Sequence, residues 1–192
     1  MPDLDPSLTL KPIRADAIPK ALLKAERYRL LKEPREAESI CRDILAADPQ
    51  NQAAVMTLIL ALTDQFAEVA AGVAGGSGMG SAASPEAAQA LLPRLAEAYD
   101  RAYMEGVILE RWGKAQRRAG TPGHVVYDWI RQAMDCFQTA ERLSPPGNDD
   151  AVLRWNACVR LLREDPSIRP SPKDAVLEET GAFDDIAPTD WR

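Results

Sequence analysis

Histidine occurs once in the 192 residues, at position 124. That scarcity excludes a metal centre built from several imidazoles and leaves no Ser-His-Asp or Cys-His pair beyond that one ring. His124 stands at a predicted helix start and reads as a surface or capping residue. Cysteine is sparse too. Cys41, Cys136 and Cys158 are odd in number, form no C-x-x-C, and each falls inside a helical pattern, as small apolar residues do in a reducing compartment. An excess of positive charge is also missing. Lys and Arg number 23 against 29 Asp and Glu, a net −6, so attraction to nucleic acid or to an anionic membrane is not expected. The opening "MPDLDPSLTL" has no basic stretch followed by an apolar one, and no run approaches the ~18 apolar residues of a membrane span. The chain is therefore expected to be cytoplasmic. The glycines of "GVAGGSGMGS" invite a phosphate-loop reading but lack G-x4-G-K-[ST], a lysine, and a preceding β-branched strand. They read as a flexible insertion over about 70–83.

Alanine and leucine dominate, and β-branched runs are scarce, which favours helices. Residues 1–15 read as an extended arm. Ile18, Leu22, Ala25 and Tyr28 then recur at helical spacing, with Asp16 as an expected N-cap and Pro19 in the first turn. Pro34 opens a second helix carrying Ala37, Ile40, Cys41, Ile44 and Leu45, which Pro49 ends. "QAAVMTLILALTDQF" is apolar nearly all round, as a helix covered on several sides would be. Ser84 and Pro85 start a further helical stretch to about Arg118, which Pro93 must kink or break. After "AGTPG", a long helix over about 124–143 bears Val126, Ile130, Ala133, Phe137 and Ala140 on one stripe. A last helix over 151–163 is capped from Asn148 or Asp149. Asp165 to Arg192 holds seven acidic residues against three basic ones and reads as a disordered acidic tail.

Two stretches share a spacing. Ala37, Cys41, Ile44 and Pro49 stand 4, 3 and 5 apart, and so do Ala133, Phe137, Ala140 and Pro145. In a helix such positions lie on one face, small residues beside a large one, and the proline then stops the helix. This resembles the second helix of the tetratricopeptide repeat, in an irregular array of bacterial type. Tyr28, nine residues before Ala37, stands where that family has its Tyr. Gly106 and Leu109 keep the family's Gly-x2-Tyr spacing with Leu in the Tyr position, while the leading Trp is missing from both hairpins. The resemblance implies an all-α, right-handed superhelical stack of antiparallel helical hairpins over 16–164, with repeats at 18–51, 52–99 and 99–147 and a cap at 151–163. The matching alanines lie 96 residues apart, which makes the array uneven.

In that family the first helices line a concave groove for peptides or partner helices. The corresponding slots here are Leu22, Glu26 and Arg29, then Met56 and Leu60, then Tyr103, Val107 and Arg111. Members that clamp a terminal carboxylate place Lys and Asn where Leu22 and Glu26 stand, so the resemblance does not extend to such a clamp. Arg111, Lys114, Arg117 and Arg118 fall largely on one helix face. They either complement the helix dipole or form an anion-accepting patch for an acidic partner segment. Trp112, Tyr127 and Trp129 read as hairpin packing or as exposed anchors. The tail keeps Phe183, Ile186 and Trp191, and reads as an idle extension, a docking motif for a partner, or a segment that docks on its own basic hairpin. The function expected is a non-catalytic adaptor, scaffold or assembly factor that binds protein and needs no metal or cofactor. A constitutive subunit of a larger complex is the alternative, and an enzyme with a site in the Gly-rich insertion a remote one. The sequence sets no oligomeric state.

Overall fold

The structure is a computed structural model that describes residues 9–72 and 83–171. Among these residues every regular element is a helix: α1 Ile18–Leu30, α2 Pro34–Ala47, α3 Gln52–Asp64, α4 Phe66–Ala70, α5 Pro85–Gln89, α6 Ala98–Arg118, α7 Gly123–Leu143 and α8 Asp150–Glu164. Most of the glycine-rich segment and most of the acidic tail lie outside the described residues.

Local chemistry sets most boundaries. Pro34 and Pro85 occupy the first turns of α2 and α5, where a missing N–H costs no helical bond. The Ser84 side chain accepts from Ala87 N and caps α5, and Asn51 accepts from Ala54 N and caps α3. Asp16 does not cap α1. It pairs with Arg14 beside a 3-10 turn at Ala15–Ala17, from which α1 continues. α1 ends with Lys32 at φ 62, Glu33 N donating to Tyr28 O and Lys32 N to Arg29 O. α6 ends the same way through Gly120 at φ 90, with Thr121 N on Gln116 O. Both are Schellman closures, and each turns the chain straight into the next helix.

α1 packs on α2, α2 on α3, α6 on α7, and α7 on α8, while α3 touches both α1 and α6. The α6–α7 pair shows why small residues matter. A Cβ at Gly106 would stand 2.6 Å from the Phe137 ring, and one at Gly113 would stand 3.2 Å from Ile130 Cδ1. Seven residues forward on α6 thus correspond to seven residues back on α7, so the hairpin is antiparallel and its helices close in at the glycines. All five expected stripe residues of α7, from Val126 to Ala140, are buried.

Two apolar cores result. The first gathers α1 to α5 with Met104, Ile108 and Ala115 of α6. The second gathers Val107, Val126, Ile130, Ala133, Met134, Phe137, Cys158 and Ile168. Leu60 and Tyr103 touch both.

One expectation is made more definite here and two are corrected. The break that Pro93 required falls over 90–97, with Pro93 in a 3-10 turn at Leu92–Arg94. Arg101 donates to the Leu95 and Ala96 carbonyls, and Gln52 accepts from Ala96 N at 2.7 Å, so this break is tied to the start of α3. Second, Gln52–Ala70 is 19 residues long and apolar enough to cross a membrane by length and composition, contrary to the reading that no stretch approaches a span. Some 56% of that window is buried against the protein's own helices, and Gln65 interrupts it with a side chain bonded to Glu38 and to Ala61 O. Third, the fold does not stop at 164. Ile168 is 2% exposed and completes the second core, and a Cβ at Gly123 would run into the Ser167 carbonyl. The segment 165–168 therefore lies tight across the α6–α7 turn.

Arg117 fastens that segment. It donates to Asp165 at 2.8 Å and to Ser167 Oγ at 2.7 Å. The Arg117 guanidinium, and after it the Ser167 hydroxyl, hold the Asp165 carboxyl down at about 2. A carboxylate depressed in the folded state adds stability above its unfolded pKa and loses it as pH falls through the folded value. The strap is therefore expected to release between the ordinary carboxylate pKa of about 3.9 and about 2. Carboxyl NMR checks this: Asp165 should titrate at about 2, and Arg117→Met should move its midpoint up toward the ordinary range.

Candidate functional site

α3, α4, α6 and α8 contribute to a cavity of about 290 Å³ lined by Thr63, Asp64, Phe66, Ala67, Glu110, Arg111, Lys114, Ala115, Arg118 and Arg154. Four cations and two carboxylates line it, in a chain that carries a net −6 overall. Each acid is already engaged. Asp64 accepts from Arg29 Nε at 2.7 Å and from Arg111, which also donates to Thr63 Oγ1 at 2.8 Å. One carboxylate of α3 thus joins arginines of α1 and α6. Glu110 is fully buried, accepting from Lys114 one turn along α6 and from Arg154 of α8 at 3.2 Å. Arg154 also reaches the Tyr103 hydroxyl at 3.5 Å. Arg118 is exposed and makes no ion pair among the described residues.

Charge is therefore unevenly committed. The two carboxylates are neutralised within the protein, and of the four lining cations Arg118 alone makes no ion pair among the described residues. Guanidinium groups present forked donors suited to carboxylate or phosphate oxygens. Phe66, Ala67 and Ala115 supply an apolar wall, and Trp112 packs edge-on against Phe66 at 5.4 Å and Trp129 at 6.2 Å. Trp112 and Trp129 thus serve hairpin packing. A second, more open depression of about 550 Å³, flanked by Pro93, Arg101, Glu105 and Leu143, balances one cation with one acid. Its Arg101 is committed to backbone carbonyls.

Of the expected groove residues, only Arg111 lines the basic cavity. Arg29 reaches its edge through Asp64. Leu22, Met56, Leu60 and Tyr103 are half-buried against the cores, and Glu26 is exposed on α1. Val107 is fully buried in the second core and is not a groove residue. Its burial comes from the core it shares with Phe137 of α7 and Cys158 of α8. Of the expected anion patch, Lys114 and Arg118 line the cavity, while Arg117 points to the strap. The sequence reading missed Arg154, Asp64 and Glu110. The only signal for Glu110 was a carboxylate four residues before a lysine, which marks countless exposed helix faces.

No thiol lines this cavity, although Cys158 feels the charges of Glu110, Lys114 and Arg154. Burial pushes Cys41 up to about 11 and Cys136 and Cys158 up to about 12. Thiolate is the reactive form, so at neutral pH the buried Cys41 and Cys158 are expected to resist iodoacetamide until the chain unfolds, and the half-buried Cys136 to react slowly. Labelling in rising urea should track the loss of helical signal, and rapid modification of the native protein would contradict the burial. Among the described residues, no group of three or more His, Cys, Asp or Glu is placed to hold a metal ion. In comparison with known proteins, the chain matches no protein-family model, and no curated protein or solved structure is significantly similar to it.

Proposed function

We propose that the protein is a non-catalytic, cytoplasmic protein–protein interaction module, an adaptor or assembly factor, that takes an acidic segment of a partner in the basic cavity between α3, α4, α6 and α8. Supporting this reading is one contrast: a net-positive cavity whose exposed Arg118 lacks an ion pair among the described residues, in a chain of net −6. The order of contacts, with α3 against both α1 and α6 and α2 and α7 behind them, agrees with a tetratricopeptide-like stack whose first helices share one face. The basic cavity differs from the apolar-centred slots that the resemblance implied, since of those slots only Arg111 lines it.

Fluorescence anisotropy with a labelled Glu-rich peptide tests the proposal. Binding should weaken as salt rises from about 0.1 M to about 1 M, which shortens the screening length from ~10 to ~3 Å. Arg118→Glu should weaken it at least about tenfold, the equivalent of ~1.4 kcal/mol. Salt-insensitive binding, or an unchanged Arg118→Glu variant, would remove the cavity from the account. The second reading, a constitutive subunit of a larger complex, draws on Leu23, Leu30 and Leu31, which are 67%, 84% and 58% exposed at the α1 end. Light scattering of the purified chain separates the two, since an obligate subunit should aggregate or oligomerise alone.

A further inference from the structure

We infer that the basic cavity has a resident occupant: the acidic C-terminal segment of the same chain, residues 172–192, which a partner must displace. This rests on the cavity being an acidic-segment site, and adds what fills it in the free protein.

The placement of the chain leads to it. The tail does not leave the fold at the end of α8. Asp165 and Ser167 are held by Arg117, and Ile168 is locked into the second core. Arg117 is in the last turn of α6, next to Arg118 at the cavity mouth, and Arg111 is less than two turns back, ~10 Å along the helix. The remaining segment thus starts four residues beyond Ile168, in a strap held by the sequence neighbour of Arg118, the lining cation with no ion pair among the described residues. Its 21 residues reach on the order of 70 Å when extended, so length is no obstacle.

Charge and composition agree with the destination. Residues 172–192 hold six Asp or Glu against two Lys or Arg, a net −4, facing four cations and two already neutralised acids. Phe183, Ile186 and Trp191 are spaced through the same segment, and among the apolar lining residues Ala67 is exposed to receive them, whereas Phe66 and Ala115 are buried. Tethering does the rest. A short linker holds a segment at an effective concentration of the order of 1 mM. A tail with an intrinsic Kd of about 0.1 mM therefore fills the site and weakens an outside ligand about tenfold.

The test compares the full wild-type chain with a full-length variant whose tail is neutralised: Asp174→Asn, Glu178→Gln, Glu179→Gln, Asp184→Asn, Asp185→Asn and Asp190→Asn. Two measurements are made on each. The side-chain Nε–H signals of Arg118 and Arg154 report directly on the cavity, and anisotropy of the labelled Glu-rich peptide reports on its availability. The expected result is that the arginine signals shift on neutralisation and that the peptide binds the variant about tenfold more tightly. Unmoved signals with equal peptide binding would overturn the resident tail while leaving the acidic-partner reading intact. Shifted signals without peptide binding to either chain would support the tail and sink the outside partner. A wild-type dimer that becomes a monomer on neutralisation would place the tail in a second copy, and the intramolecular claim would fail.

Discussion

Phe137→Ala is expected to cost about 3–5 kcal/mol, the largest loss available from a single side chain in the second core. The ring is fully buried, contacts Tyr103 at 6.0 Å between centroids, and lies against Gly106 with no space for a Cβ. Neighbours on α6 cannot close the gap, because α6 is held on its other side by the first core. The same geometry makes a sharper statement about Gly106. In the wild-type protein, Gly106→Ala forces a methyl to within 2.6 Å of the ring and should destabilise by about 1–3 kcal/mol, despite the ~1 kcal/mol that alanine gains over glycine in a helix. With Phe137 already Ala, the methyl has space and the substitution should become neutral or stabilising. Urea denaturation of the two single variants and the double variant measures this change of sign. Additive losses would mean that the glycine and the ring do not share one packing site.

Removing both Lys114 and Arg154, each to Met, is expected to cost about 3–5 kcal/mol, because Glu110 is then left as a buried carboxylate with no partner. Its side chain is 1% exposed, whereas the two cations are 35% and 33% exposed. The asymmetry matters. Stripping the acid leaves cations that water can reach, so Glu110→Leu alone should be milder than the double cation loss. Adding Glu110→Leu to the double variant should recover most of the stability, since an apolar cluster replaces a stranded charge. Thermal melts of the three variants decide the matter. A triple variant as unstable as the double one would place the cost in packing and not in charge.

How much of this was legible beforehand depended on range. The Ala–x3–Phe–x2–Ala stripe is a local pattern, and helix α7 buries those residues because a 3.6-residue repeat leaves no other face to bury. The proline and serine starts at Pro34, Ser84 and Pro85 were equally local. Glu110 was not, because its burial depends on Arg154, 44 residues away on a helix whose sequence shows only its own amphipathicity. Val107 was misplaced for the same reason: the residues that bury it, Phe137 and Cys158 among them, lie on α7 and α8 far along the chain. Ile168 was hidden inside a segment whose composition is acidic and proline-rich, where a single apolar residue carries no periodicity to detect. The break over 90–97 was half legible: Pro93 required an interruption, but its extent was set by Gln52, Arg94 and Arg101 clasping backbone across the hairpins.

Helix α6 feeds both cores, giving Met104, Ile108 and Ala115 to one and Val107 to the other. A helix pinned from two sides has no cheap way to open, whereas α1 and α2 contact only one core at the end of the array. Native-state amide exchange should therefore be graded along the chain and not uniform. The amides of α1 and α2 should exchange together through a partial opening that leaves α6 to α8 intact. Those in the middle of α6 should exchange only when the whole molecule unfolds, making this helix the slowest-exchanging segment and the boundary between two separately cooperative units.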